Sequence, residues 1–333
     1  MTSGKQFPKQ DIAQLNRKIK KAKTIAISGH TNPDGDCVGS CLGLCTYILD
    51  QYPNKEVDVL LEPINKKFQF MKHADEIMHE KESQKPYDLY ISLDCSEPER
   101  LNQYKAYYED AKDTICIDHH VTNTGFGNLR FIDPEASSTC EILFRLFDYD
   151  KISFDCAQDL YLGIVHDTGV FKHSNTTRSV MEIAGALIEK GVKPDFIIDE
   201  TFYKKTYIQN QILGRALMES ILLLDGQMIF SVITKKDFDL YEITSDDLDG
   251  IIDQLRVTEG VECALFLYEK ESGEYKVSMR SNGKVDVSKI ARTFGGGGHV
   301  RAAGVTMKGT KHDVINNVSR KILSQLDALC RQE

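Results

Sequence analysis

No stretch of this chain approaches the ~18 consecutive apolar residues of a membrane-crossing helix. The opening MTSGKQFPKQDIAQ holds no apolar core of the signal-peptide kind. The expectation is therefore a cytoplasmic protein without a membrane partner. Positive charge is in deficit: 41 Lys and Arg against 50 Asp and Glu leave a formal net charge of -9. That argues against a broad cationic face gripping long duplex nucleic acid, yet it leaves room for a local basic pocket that binds a small anion. No C-x-x-C pair occurs among the nine cysteines. An odd number of thiols fits a reducing compartment better than a disulfide framework. Cys37, Cys41 and Cys45 recur every four residues, which stacks them on one helix face. Small buried hydrophobes describe them better than a metal or iron–sulfur site, because the polar groups nearby prefer harder ions.

What is present is enough chain for two ordinary domains, with 333 residues of which 41% are hydrophobic and 27% charged. Short apolar runs alternate with helical patterns. Asp11–Lys21 reads as a helix, Thr24–Ser28 as a buried strand, and Cys37–Leu49 as a largely apolar helix after a loop from His30 to Asp36. Val57–Leu61, Leu89–Leu93 and Thr114–Ile117 read as further strands. Ser138–Phe147 and Ala157–Val165 read as helices. The alternation predicts an α/β fold, a mostly parallel sheet flanked by helices, with a second, smaller α/β domain. Gly191 and Pro194 mark a boundary. The expected division is a catalytic domain over 1–190, a helical connector over 191–219 and a second domain over 220–333. In the second domain Met228–Ile233, Cys263–Tyr268 and Tyr275–Met279 read as strands, beside a glycine-rich loop.

The ends of the strands carry the chemistry. His30 and Asp34 follow the first strand, Asp94 the third, and Asp118-His119-His120 the fourth. In open α/β sheets ligands bind outside the carboxyl ends of the strands, so three polar clusters converge on one edge. In His30-Thr-Asn-Pro-Asp34-Gly-Asp36, Pro33 sets a turn and Gly35 lets the chain fold tightly, so the two aspartates can face different ions. Read alone, the segment is equally a plain Asx turn. Asp94 is central enough to bridge two cations. His119 and His120, adjacent on an extended chain, point different ways, which suits one ligand and one substrate-facing group, with Asp118 orienting an imidazole. A surface His-His pair is the competing reading. Gly163-Ile-Val-His166-Asp167-Thr-Gly169 sets a carboxylate at a helix end, or is an ordinary polar terminus. His166 and His173 read as structural or outer-shell histidines. Paired divalent ions held in this way are the equipment of a phosphate-ester hydrolase.

The C-terminal region differs in charge. From Lys276 to Lys311 eight Lys and Arg face one Asp. Gly295–Gly298 allow backbone N–H groups to approach an anion, and His299 and Arg301 add directed donors. A flexible glycine loop beside a solvated basic face is the alternative.

Taken together, HTNPDGDCVGS (30–40), SLDCSEPERL (92–101), IDHHVTN (117–123), GIVHDTGVF (163–171) and VSMRSNGKVDVSKIARTFGGGGHVRAAG (277–304) resemble the DHH phosphoesterase superfamily. The likeness is to its branch of short-oligoribonucleotide exonucleases (nanoRNases) that also dephosphorylate 3′-phosphoadenosine 5′-phosphate. The resemblance implies a DHH catalytic domain, a connector and a smaller DHH-associated domain that closes over substrate. It implies two divalent metal ions, Mn²⁺ first and Mg²⁺ or Co²⁺ as substitutes, with hydroxide attacking phosphorus in line. One ion falls to His30, Asp34 and Asp94, the other to Asp36, Asp94, His119 and Asp167, and His120 faces the phosphate. Arg280, Ser281, Asn282, Gly297, Gly298, His299 and Arg301 hold the nucleotide. The implied partners are short single-stranded RNA or small nucleotides such as pApA and pAp, with a homodimer as the family's habit. Many members carry Thr at the place of His166. The alternatives are a cyclic-dinucleotide phosphodiesterase and, from another class, a catalytically silent nucleotide sensor. The sensor reading sits badly with six intact ligand positions.

Overall fold

The computed structural model describes residues 6–79 and 86–330. The chain divides into two compact units, Met1–Lys204 and Lys205–Glu333.

The first unit is built on five parallel strands: β1 (Thr24–Ser28), β2 (Glu56–Leu60), β3 (Leu89–Leu93), β4 (Thr114–Asp118) and β5 (Leu129–Ile132), in the order β2-β1-β3-β4-β5. The expected parallel sheet is present. β3 and β4 are buried along their whole length, which explains why they read as unbroken apolar runs: a parallel sheet is covered on both faces. Its helices are α1 (Lys9–Lys21), α2 (Gly35–Gln51), α3 (Lys105–Asp110), α4 (Thr139–Leu146), α5 (Phe154–Asp167), α6 (Arg178–Glu189) and α7 (Pro194–Ile198). Asp34 caps α2 by accepting the N–H groups of Asp36 and Cys37, each at 3.1 Å, the usual way of satisfying orphan donors at a helix start. Cys37, Cys41 and Cys45 are free and buried within the core of this unit.

α2 and α5 approach each other closely through glycines. A Cβ at Gly39 would lie 2.5 Å from the backbone oxygen of Asp159, and one at Gly163 would strike Cys140 Sγ. Glycine inside a helix costs about 0.5–1 kcal/mol against alanine, so its presence here reflects that approach.

The second unit carries a six-stranded sheet. It contains α8 (Tyr207–Met218), β6 (Ile221–Leu223), β7 (Met228–Ile233), α9 (Lys235–Tyr241), α10 (Ile251–Arg256), β8 (Cys263–Glu271), β9 (Glu274–Ser281), α11 (Val287–Thr293), β10 (Gly297–His299), β11 (Ala302–Lys308) and α12 (Lys311–Cys330). The order is β10-β11-β9-β8-β7-β6, antiparallel except for the parallel pair β7–β8. Ile290, Val314, Val318 and Ile322 pack against Leu265, Val277 and Val305 on one side of it. Ile212, Ile251 and Leu255 pack against Ile229 and Ile233 in a second core.

Two local expectations need correction. The helical connector expected over 191–219 is not one continuous helix: α7 passes into a π-turn over Asp199–Tyr203, and α8 begins only after Thr206 caps it. The glycine-rich loop is partly a β-hairpin, because β10 pairs antiparallel with β11. Among the described residues no helix is long and apolar enough to cross a membrane.

Substituting Gly39→Ala should force α2 and α5 apart. We expect a loss of about 1–3 kcal/mol, the scale of overpacking in a tight core, measured by chemical denaturation. An unchanged unfolding midpoint would show that the helix pair absorbs a methyl group without strain.

Candidate active site

The ends of β1, β3 and β4 bring three chain segments together. His30 follows β1, Asp94 follows β3, and Asp118 to His120 close β4. Asp94 is buried and holds a left-handed backbone, φ 52°, a conformation that costs a non-glycine residue energy and tends to cluster at functional sites. Its two oxygens face different imidazoles: Oδ2 lies 3.3 Å from His30 Nε2, and Oδ1 lies 3.4 Å from His119 Nε2. Thr139 donates its hydroxyl to the same Oδ1 at 3.2 Å. His119 Nε2 also lies 3.1 Å from Asp167 Oδ2 and 3.9 Å from Asp36 Oδ2. Asp34 Oδ1 stands 3.7 Å from His30 Nε2. All six residues expected as ligands therefore occupy one cluster.

Each carboxylate is held by the fold. Asp36 is fully buried and accepts the N–H groups of Thr139 at 2.6 Å and Cys140 at 3.1 Å. Those are the first residues of α4, where the helix dipole favours negative charge. Asp118 accepts from His120 Nδ1 at 2.8 Å, from the N–H of His119 at 2.9 Å and from Asn123 Nδ2 at 2.6 Å. With acceptors only on that carboxylate, His120 Nδ1 is the protonated nitrogen, and its Nε2 is left for another partner. Asn123 ends the IDHHVTN segment, and nothing else in the sequence marks it as part of the site.

The charges in the cluster are strongly perturbed. Burial disfavours the charge on His30, but hydrogen bonds to Asp34 and Asp94 override it and raise the imidazole to about 12. Burial likewise opposes charge on His119, and Asp167 and Asp94 raise it to about 12. Asp94 is lowered: burial pushes its carboxyl up, and the hydrogen bonds from His119 and His30 more than reverse that. Asp36 is raised well above the carboxylate range by burial and then by the charges of Asp94 and Asp167. Asp167 is raised to about 6, again by burial first. Burial and mutual repulsion thus work against the negative charge of Asp36 and Asp167, and the imidazoles beside them offset it only in part. A divalent cation would do the same work better.

The donor set fits that role. His30, Cys37 and Asp94 form one group whose donor atoms all lie within 4.8 Å of one another; Asp36, His119 and Asp167 form a second; Asp94, His119 and His120 form a third. Cations bound at ~2.1 Å set neighbouring donors of an octahedron about 3 Å apart, close to the spacings observed here. The sequence marks Cys37 as a buried hydrophobe, and the one signal for more is its place in the helix turn after Asp34 and Asp36. His166 stays outside the three groups. Its ring packs 5.2 Å from Phe68 and 4.4 Å from Phe202, and its Nε2 has no hydrogen-bond partner. Burial and then Lys67 lower it to about 3, so it is a neutral aromatic wall. His173 Nδ1 lies 3.3 Å from the carbonyl of Asp167.

The second unit carries the other expected residues. Ser281 is buried, and its hydroxyl donates to Glu262 Oε1 at 2.9 Å. The same oxygen accepts the N–H groups of Gly283, Lys284 and Val285. Asn282 donates to the carbonyls of Arg256 and Val261, and its Oδ1 accepts from Arg256 at 2.9 Å. Glu262 therefore shapes the turn after β9, a role that its position just before β8 does not reveal in the sequence. Arg280 Nε lies 3.4 Å from Asp253. Gly297, Gly298, His299 and Arg301 are exposed on the β10–β11 hairpin. A side chain at Gly298, φ 140°, would meet the carbonyl of Ala302 at 2.5 Å.

The N-terminal domain of the DHH family matches residues 24–164, and the DHHA1 domain matches residues 225–330. Over 292 residues the chain is 34% identical to the bifunctional oligoribonuclease and PAP phosphatase NrnA of Thermus thermophilus, covering 87% of this chain and 86% of that protein. Over 326 residues it is 26% identical to the protein of the same description from Bacillus subtilis, covering 96% and 98%. The crystal structure of an exopolyphosphatase-related protein from Bacteroides fragilis superposes with a TM-score of 0.87 at 25% identity, covering 95% of this chain and 96% of that one. Fold and cluster together define a two-domain hydrolase with a divalent-metal site. The chain belongs to the DHH family, in the branch of the NrnA-type bifunctional oligoribonucleases and PAP phosphatases.

Cations that replace the protons on His30 and His119 must release them. Calorimetric titration of metal-free protein at neutral pH, in buffers of different ionisation enthalpy, should show net proton release, and affinity should rise with pH because imidazole binds metal only when deprotonated. Binding without proton release would contradict the electrostatic account of the cluster.

Proposed function

We propose that this protein hydrolyses short oligoribonucleotides, such as pApA, to mononucleotides and removes the 3′-phosphate of pAp. One observation carries the reading: the clustering of His30, Asp34, Asp36, Asp94, His119 and Asp167, in a chain that carries both the DHH and the DHHA1 domain. In this reading His30, Asp34 and Asp94 hold one divalent ion. Asp36, Asp94, His119 and Asp167 would hold the other, Asp94 serving both. The donor set of carboxylates and imidazoles suits Mn²⁺, with Mg²⁺ and Co²⁺ as substitutes. Such ions, when bound, lower the pKa of a water and offset charge on phosphoryl oxygens.

The remaining residues act on substrate. His120, fixed by Asp118 through Nδ1–H, turns Nε2 to the phosphate; only as an imidazolium does it donate from Nε2 to a non-bridging oxygen, where directed hydrogen bonds count most as charge builds up. Arg280, Arg301 and His299 supply donors for the nucleotide, and the exposed backbone of Gly297 and Gly298 allows close approach of a phosphate. Ser281 and Asn282 contribute by holding the turn after β9 in shape. The eight described cysteines are all free, which suits the reducing cytoplasm as the site of action.

Incubated with Mn²⁺, the protein should convert pApA to AMP and release phosphate from pAp, and a chelator should stop both. Asp94→Ala should lower turnover by at least about 10³-fold, since loss of the shared carboxylate dismantles both ion positions. Failure to cleave either substrate with Mn²⁺, Mg²⁺ or Co²⁺ would refute the proposal. Arg301→Ala should raise KM for pApA while leaving hydrolysis of a small generic phosphodiester nearly unchanged. Equal losses on both substrates would remove Arg301 from nucleotide selection.

A further inference from the structure

Cys37 stands in the first turn of α2, fully buried. Its Sγ lies with a ring nitrogen of His30 and a carboxylate oxygen of Asp94, all three atoms within 4.8 Å of one another. Gly29 makes room for it, because a Cβ at that position would collide with the sulfur. The thiol donates only a long, weak hydrogen bond to the carbonyl oxygen of His30, at 3.9 Å. The backbone N–H of Cys37 is taken by Asp34 Oδ1 at 3.1 Å. A thiol, an imidazole and a carboxylate sharing one small volume form a donor set of mixed softness. Cys140, by contrast, lies against the carbonyl of Asp36 at 3.9 Å and belongs to none of the three donor groups.

We propose that Cys37 is a direct donor to the cation held by His30 and Asp94. This position then takes thiophilic ions such as Zn²⁺ and Co²⁺ in preference to Mn²⁺ beyond the ordinary order of affinities. The inference rests on the reading of the cluster as a metal centre and is independent of the substrate. On binding, the S–H bond breaks, a sulfur–metal bond forms and the proton leaves to water, with no change of oxidation state. The second position, built from carboxylates and His119 alone, keeps the preference of a hard site. The two positions of one centre therefore differ in selectivity, and mixed-metal occupancy follows from the donor chemistry.

The test uses the full chain, stripped with chelator and loaded with one and then two equivalents of Zn²⁺ or Co²⁺. Zinc X-ray absorption should show a sulfur neighbour at about 2.3 Å, and the cobalt protein should show a near-ultraviolet thiolate charge-transfer band. Cys37→Ser should abolish that band, and Cys41→Ser should retain it. Zinc affinity should fall about tenfold or more in Cys37→Ser, the scale on which even outer-shell changes act, while Mn²⁺ affinity changes less. A wild-type zinc protein with only nitrogen and oxygen neighbours at both loadings would overturn the proposal, whether or not the serine variant folds. So would a band that survives Cys37→Ser or disappears with Cys41→Ser. None of these readings depends on hydrolysis, so an inactive protein could still pass and an active one could still fail.

Discussion

Four carboxylates crowded at the ends of parallel strands are the constraint to which the first unit is fitted. Like charges ~4 Å apart repel by about 4 kcal/mol at an effective dielectric near 20, and burial adds a desolvation cost. Nothing in a hydrophobic core repays that. The compensation comes from two imidazoles held charged and from N–H groups at helix starts: Asp34 at the start of α2, Asp36 at the start of α4. These contacts reduce the repulsion without removing it, as the raised carboxyls of Asp36 and Asp167 show. A site whose carboxyls are raised by burial and by one another's charge is a site prepared for cations.

The architecture follows from that need. Parallel strands end together, so residues far apart in the chain meet at one edge. The helices that supply N–H groups must then come close. Gly39 and Gly163 let α2 and α5 approach until Asp36 and Cys140 meet around Gly163. Asp118 extends the same logic outward. It spends its acceptors on His119, His120 and Asn123, so that the histidine pair is rigid before any ligand arrives. Preorganisation of this kind lets electrostatic stabilisation act without reorganisation during reaction.

Much of this was legible in the sequence. Apolar runs that stop abruptly at His30, Asp94 and Asp118 mark both the strands and the site, because burial on two faces leaves a periodicity of its own. What escaped has physical causes. The break near Thr206 is invisible because α7, the π-turn that continues it and α8 all have helical patterns, and only Lys204 to Thr206 interrupt them. β10 was hidden because glycine carries no strand propensity, and its pairing with β11 is set by backbone approach. Glu262 looks like any acidic residue before a strand, yet it gathers the turn from Ser281 to Val285. Cys37 looked like its neighbours Cys41 and Cys45, since a four-residue spacing cannot tell which sulfur faces a carboxylate and which faces a core.

The distribution of charge has a consequence for binding order. In the proton-compensated state the centre offers a phosphodiester a set of partly ionised carboxylates, which repel it. Cations at the centre reverse that sign. Anion affinity and cation affinity at such a site are then linked, and linkage is reciprocal: whatever free energy the ions add to substrate binding, the substrate must return to ion binding. The weakest-held ion gains most visibly. If its position is the one that Cys37 does not serve, hard ions there depend on substrate for their retention, while the sulfur-bearing position keeps its ion in the resting protein. Asymmetry of donors within one centre thereby becomes asymmetry of occupancy, set by residues that lie within a single turn of α2.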